Sequence, residues 1–216
     1  MMRRVTNSLF GSSLEKPCPL CATEWVDQAC SSANVRLTGA ARRQLIAGLL
    51  ARRHLILSGP SGAGKARLAR ALGLCMVQGR TSCVRSIQGH PWWAANTQDV
   101  ARFVTMQTDH SLWRLADFVE IIEWEQASPP PAGIDGGTQE YVALVEEMSP
   151  VEIELYFGRF LWWLSGRRQR GGSPIPLRLV GTYSTDSPPL LDDHILRLAG
   201  HVNLGRADII AHDEND

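Results

Sequence analysis

Short apolar runs alternate with amphipathic stretches along this chain. The apolar runs predict strands at 54–58, 82–87, 141–145 and 177–183. Apolar positions at helical spacing predict helices at about 38–53, 64–77, 97–106, 112–126 and 149–165. Thr38 is a suitable cap for the first helix, and Ser149 followed by Pro150 is a suitable start for the last. Strands that alternate with helices predict an α/β domain with a parallel sheet flanked by helices.

The pattern weakens toward both ends of the chain. Residues 1–36 are rich in Ser, Cys and Pro and show no clear period, so a poorly ordered N-terminal extension is predicted there. The globular domain is predicted over 37–206, followed by an acidic tail at 207–216. The proline- and glycine-rich segment 128–137 is predicted to be a loop. A length of 216 residues suits one domain of this kind.

Composition narrows the classes of partner and compartment. Lys+Arg and Asp+Glu are balanced at 22 each, so no overall charge attracts the chain to nucleic acid or to a membrane. No apolar run reaches the roughly 20 residues of a membrane span, and no signal peptide is recognised. Five cysteines without secretory context predict reduced thiols in a cytoplasmic protein. Cys18 and Cys21 have the spacing of half a zinc site, but no second such pair exists, so free thiols are expected.

Residues 59–66, with the sequence GPSGAGKA, fit a phosphate-binding loop (P-loop) at all but one position. Gly59, Gly64 and Lys65 match the pattern, whereas Ala66 stands where Ser or Thr normally places a hydroxyl on Mg²⁺. The predicted strand before the loop and helix after it are the context that this motif requires. The predicted nucleotide-binding residues are Gly59, Pro60, Ser61, Gly62, Ala63, Gly64, Lys65 and Ala66.

An acidic pair follows the predicted strand 141–145. Glu146 is the candidate for positioning Mg²⁺ through a water, and Glu147 for orienting or activating the attacking water. Ser184, at the end of another strand, is the candidate for bonding the γ-phosphate or the water. The alternatives are that the two glutamates cap the following helix and that Ser184 is a turn residue.

The order of these segments resembles the core of AAA+ ATPases, in the branch that contains MoxR proteins and the McrB-type GTPase of modified-DNA restriction. The resemblance runs from about residue 38 to 205 and is carried by LILSGPSGAGKA (55–66), GHPWW (89–93), YVALVEEM (141–148), LYFGRFLWWL (155–164) and LRLVGTYSTD (177–186). It implies a three-layer P-loop NTPase core that uses ATP or GTP with Mg²⁺. It also implies a homo- or hetero-oligomer with other AAA+ subunits, and a protein client.

Several motif positions depart from the family pattern. Besides Ala66, Glu146 replaces the usual Asp, Ser184 replaces the sensor Asn, and Ser-Pro at 149–150 replaces Asn-Arg. Arg197 is the remaining candidate for the arginine finger that reaches a neighbouring subunit's nucleotide. The C-terminal helical lid of the family is expected to be missing. The losses all concern the nucleotide site and therefore weaken the case for catalysis more than the case for the fold.

Three functions follow from these observations. The first is nucleoside triphosphate binding, with ATP ahead of GTP, and hydrolysis that drives a conformational change in an oligomer. The second is a catalytically inactive pseudo-ATPase that serves as a regulatory or assembly subunit. The third is a nucleic-acid-binding module that uses the basic, glycine-rich loop 166–171, and the balanced charge counts against it.

Overall fold

The computed structural model describes most of the predicted core. The described residues are 18–88, 140–148, 153, 157–158, 160–161, 177–186 and 191–211. The predicted helices at 97–106 and 112–126 and the predicted loop at 128–137 lie outside them, as do the basic loop 166–171 and the segment 89–93.

Helices and strands alternate through the described chain. The helices are α1 (Pro19–Ser32), α2 (Gly39–Ala51), α3 (Lys65–Met76) and α4 (Asp193–Leu198). The strands are β1 (Val35–Leu37), β2 (His54–Gly59), β3 (Val84–Gln88), β4 (Tyr141–Met148), β5 (Leu177–Ser184), β6 (Ala199–Asn203) and β7 (Ile209–Ala211). Among the described residues, no helix is long and apolar enough to cross a membrane.

Five of these strands form a parallel sheet in the order β3-β4-β5-β2-β6. Strand β2 is buried at every position, which explains its continuous apolar run. Strand β5 separates β2, which leads into the P-loop, from β4, which carries the acidic pair. All of these strands run in one direction, so their C-terminal ends meet at one edge, where open α/β sheets bind ligands.

The predicted α/β class with a parallel sheet is confirmed. Helix α2 begins after Thr38, whose hydroxyl accepts a hydrogen bond from the Ala41 N–H at 3.3 Å. Strand β4 continues to Met148, beyond its predicted end. Strand β3 begins at Val84, after a 3-10 turn over Thr81–Cys83.

The described part of the segment predicted as a loose extension, residues 18–36, is largely helical. Helix α1 buries Ala22, Val26 and Ala29 completely and packs against α2 and α3. These small apolar residues recur at helical spacing, but the polar residues between them hide the period in the sequence.

Cys18 and Cys21 form a disulfide at the start of α1, in contrast to the free thiols expected from the sequence. The Cys18 sulfur also accepts a hydrogen bond from the Cys21 N–H at 3.1 Å and so caps the helix. Cys30, Cys75 and Cys83 are free.

Part of the predicted acidic tail is also structured. Strand β7, near the C-terminal end of the described chain, pairs antiparallel with β1, which follows α1. The Thr38 hydroxyl donates to Asp208 Oδ1 at 2.9 Å, and the Thr38 N–H donates to the Asp208 carbonyl oxygen at 3.0 Å. Residues around Asp208 therefore hold the start of α2.

Candidate functional site

The P-loop begins where β2 ends between its two neighbouring strands. The Gly59 carbonyl accepts from the Thr185 N–H at 2.9 Å, and the Ser58 carbonyl accepts from the Leu204 N–H at 2.8 Å. Gly59 has a φ of 143°, and a Cβ there would overlap the Leu204 carbonyl oxygen. Only glycine fits this position, because the chain must turn away from the sheet directly against another backbone segment.

Polar side chains of β6 hold the same strand end from the side. The buried Ser58 hydroxyl donates to Asn203 Oδ1 at 3.1 Å and lies 2.8 Å from His201 Nε2. Since the hydroxyl hydrogen points to Asn203, the His201 Nε2–H is the donor to Ser58 Oγ. Burial lowers the pKa of His201, which favours its neutral form. These contacts fix β2 against β6 immediately before the loop.

The loop presents free backbone donors at the start of α3. Gly62 and Gly64 have φ values of 78° and 86°, in the left-handed region, and Gly64 caps α3 without any side-chain hydrogen bond. Within the described residues, the N–H groups of Gly62, Gly64, Lys65 and Ala66 donate no hydrogen bond. Unpaired N–H groups at the positive end of a helix dipole form an anion-binding site.

Lys65 points its ammonium back into this loop. Its side chain is 5% exposed, and Nζ donates to the Pro60 carbonyl oxygen at 2.6 Å and to Ser184 Oγ at 3.4 Å. Loss of solvation by burial lowers the pKa of Lys65. The structure thus brings together the lysine of the P-loop and the hydroxyl at the end of β5, two groups that the sequence placed at the γ-phosphate.

Glu146 lies at the same edge, but its carboxylate is already paired. Arg70 donates from Nε to Oε1 at 2.7 Å and from Nη2 to Oε2 at 2.6 Å, and the Ser86 hydroxyl donates to Oε1 at 2.8 Å. Glu146 is 2% exposed. The hydrogen bonds to Glu146 raise the pKa of the Arg70 guanidinium. A paired fork of this kind is among the strong polar contacts in proteins.

The sequence indicated neither Arg70 nor Ser86 as a site residue. Arg70 lies on α3, and Ser86 lies on β3, which pairs with β4 at Gln88 and Glu146. The strand order and the turn of α3 bring them to Glu146. Arg70 follows the P-loop lysine by about one and a half helical turns. That position indicates a site residue only once β4 is known to lie beneath α3.

Glu147 occupies a strained position beside Glu146. Its φ is 59°, in the left-handed region, and the pairing of β4 with β5 shifts between Val145 and Met148. Its N–H donates to Thr182 Oγ1 at 3.3 Å, and its side chain is exposed. Left-handed backbone at a non-glycine residue is uncommon and concentrates at functional positions. The backbone N–H of Glu147, and not its exposed carboxylate, makes the hydrogen bond to Thr182 in this bulge.

The residues at this edge do not fit a magnesium ion. Mg²⁺ needs oxygen ligands in nearly octahedral geometry. Ala66 has no side-chain oxygen, and both oxygens of Glu146 are bonded to Arg70, one of them also to Ser86. Within the part of the chain that the structure describes, no group of three or more His, Cys, Asp or Glu could hold a metal ion.

Arg197 lies in the last turn of α4 with its side chain exposed. An arginine finger acts on the nucleotide of a neighbouring subunit, so the role of Arg197 stays a prediction.

Comparison with known proteins gives a weak likeness. No family model and no curated protein matches the chain. A structure of C. elegans PCH-2 matches 70% of this chain and 34% of its own chain, at 15% identity and a TM-score of 0.37. A structure of the E. coli MS115-1 HORMA:CdnC:Trip13 complex matches 87% of this chain and 54% of its own, at 13% identity and a TM-score of 0.33. The chain thus spans about a third and about half of these two chains, and the likeness assigns no family.

Proposed function

We propose that the chain binds a nucleoside triphosphate, with ATP ahead of GTP, at residues 59–66. The observation that carries the proposal is the start of α3, where unpaired N–H groups surround a buried lysine. The resemblance of the sequence to AAA+ cores of the MoxR and McrB branch supports the same assignment.

The chemistry of the loop suits a triphosphate. Phosphate oxygens accept hydrogen bonds from the N–H groups of Gly62, Gly64, Lys65 and Ala66, which have no other partner in the described chain. An ammonium has three donors, and Lys65 uses two of them on Pro60 and Ser184. The third remains for a phosphate oxygen. The low exposure of Lys65 strengthens its attraction to an anion, because water screens the charge less there.

The proposal also includes hydrolysis of the nucleotide and assembly into an oligomer. Glu147 orients the attacking water, Ser184 bonds the γ-phosphate, and Arg197 reaches a neighbouring AAA+ subunit. Turnover then drives a conformational change in a homo- or hetero-oligomer that acts on a protein client in the cytoplasm.

A second candidate is a pseudo-ATPase that binds nucleotide without turning it over and serves as a regulatory or assembly subunit. The observation that favours it is the pairing of Glu146 with Arg70, which occupies the carboxylate that hydrolysis requires in related sites. Phosphate release that is lost in Glu147→Gln supports the ATPase, whereas nucleotide binding without release supports the pseudo-ATPase.

Calorimetric titration with ATP and GTP tests the binding itself. Lys65→Ala removes a charged hydrogen bond, which is worth roughly 1.5–3 kcal/mol, so affinity falls about tenfold to a hundredfold. Arg67→Ala is the matched control, because it removes one positive charge from the exposed side of the same helix. It leaves affinity within about twofold. Equal affinity in the wild type and Lys65→Ala contradicts the proposal.

A further inference from the structure

The guanidinium of Arg70 binds the carboxylate of Glu146 on β4 through two parallel hydrogen bonds. Two nitrogens of one guanidinium edge, Nε and Nη2, meet the two carboxylate oxygens at 2.7 and 2.6 Å. Ser86 donates to Oε1 from the neighbouring strand and closes that side. The carboxylate therefore has a positive partner on both oxygens and a neutral donor on one.

The other side of the same guanidinium is open. The Arg70 side chain is 57% exposed, and its Nη1 has no hydrogen-bond partner among the described residues. The charge of Glu147 also contributes to the raised pKa of the Arg70 guanidinium, after the hydrogen bonds and the charge of Glu146. A planar guanidinium that uses one edge on a carboxylate still has donors for an oxyanion.

A metal ion, or a water bound to one, would meet a carboxylate whose acceptor sites are mostly occupied. Of its about four sites, two accept from Arg70 and a third from Ser86, and Ala66 adds no hydroxyl. Arg70 cannot lose its proton in the physiological range, and a chelator cannot remove it. The positive charge at this edge is therefore built into the chain.

We propose that Arg70 takes the place of the divalent metal at this site, so that the chain binds nucleoside triphosphates as metal-free anions. Glu146 is then a positioning residue that holds Arg70, and not a metal ligand. This inference rests on the proposed nucleotide binding and names its regulation: the affinity does not depend on Mg²⁺.

Calorimetric titration of ATP in EDTA and in excess Mg²⁺ tests this inference. The wild type binds at least as tightly in EDTA as in Mg²⁺. Arg70→Ala weakens binding in EDTA by about tenfold or more, because a charged donor is lost, whereas Arg67→Ala on the same helix leaves it within about twofold. Circular dichroism melts verify that each variant is folded.

Glu146→Gln keeps the test decisive if Arg70→Ala does not fold. It removes the negative charge, keeps the shape of the side chain and leaves Arg70 its full charge. Affinity in EDTA is then equal or tighter. A wild type whose affinity for ATP rises more than about tenfold in Mg²⁺ overturns the inference while the proposed function stands. Absence of binding in both solutions overturns the proposed function and this inference with it.

Discussion

Arg178 carries a charge into the interior of this molecule and has specific partners there. Arg178 is 1% exposed, yet it donates to the Arg53 carbonyl at 2.8 Å and to Glu140 at 3.2 Å and lies over the ring of Trp25. These contacts satisfy a buried charge and join α1 to the sheet. Glu146 is likewise buried and paired with Arg70 at the opposite edge, whereas buried Lys65 bonds only a carbonyl and a hydroxyl. Burial of paired charge is thus not confined to the site.

The residue scale carries a pH prediction at His54. Its Nδ1 accepts from the Leu179 N–H at 3.1 Å. Burial first, and then the charges of Arg53 and Arg178, hold the pKa of His54 well below its usual range. The folded state therefore keeps His54 neutral, whereas the unfolded chain protonates near pH 6.5. This contribution to stability is complete above about pH 6.5 and is lost as the pH falls below it.

Urea unfolding at about pH 7.5 and about pH 5.5 measures this loss. One proton accounts for at most about 1.4 kcal/mol per pH unit. The neutral variant His54→Gln keeps an acceptor and loses less stability between the two pH values than the wild type does. An equal loss in both proteins contradicts the assignment. His201 also has a lowered pKa, so the difference between the two proteins, and not the wild-type slope, is the readout.

At the scale of elements, the sequence predicted the helices and strands that have a clear apolar period or an apolar run. Helix α2 with its Thr38 cap, strand β2 and helix α3 lie where the apolar pattern places them. Helix α1 was missed because its buried face has only three residues, two of which are alanine, so the apolar period is short and weak. The contact of Arg70 with Glu146 was missed because it depends on how α3 lies over the sheet.

The turn between β2 and α3 supplies a prediction at the same scale. Gly59→Ala forces a Cβ onto the Leu204 backbone, in a φ region that costs about 1–3 kcal/mol by itself. We expect it to lower the free energy of unfolding by about 3 kcal/mol or more. In Gly62→Ala the Cβ meets nothing within 4 Å, so only the backbone cost of about 1–2 kcal/mol remains. Equal losses in the two variants, measured by urea unfolding, argue against the close approach of Leu204.

At the scale of the whole molecule, the strand order assembles the site from distant segments. Strand β5 lies between β2 and β4, so Ser184 comes next to Lys65, and Glu146 lies one strand farther away under Arg70. The sequence could name Lys65, Ser184, Glu146 and Glu147 because motif and strand ends mark them. It could not indicate which of them pair with one another, because that depends on the sheet order.

The small sheet of β1 and β7 packs near the P-loop. The small sheet of β1 and β7 leads Ile209 to the P-loop, where a Cβ on Gly64 would lie 3.6 Å from the Ile209 side chain. Asp208, next to it, fixes the start of α2. Segments that the sequence assigned to an extension and a tail thus pack beside the proposed nucleotide site.

The most direct test of the central claim is an NMR titration of ¹⁵N-labelled protein with ATP. If phosphates bind at the start of α3, the amide resonances of Gly62, Gly64, Lys65 and Ala66 shift most, because their N–H groups gain acceptors. Amides of α1 stay in place, and Lys65→Ala weakens the response. Shifts that cluster away from residues 59–66, or no shifts with excess ATP, would contradict the account.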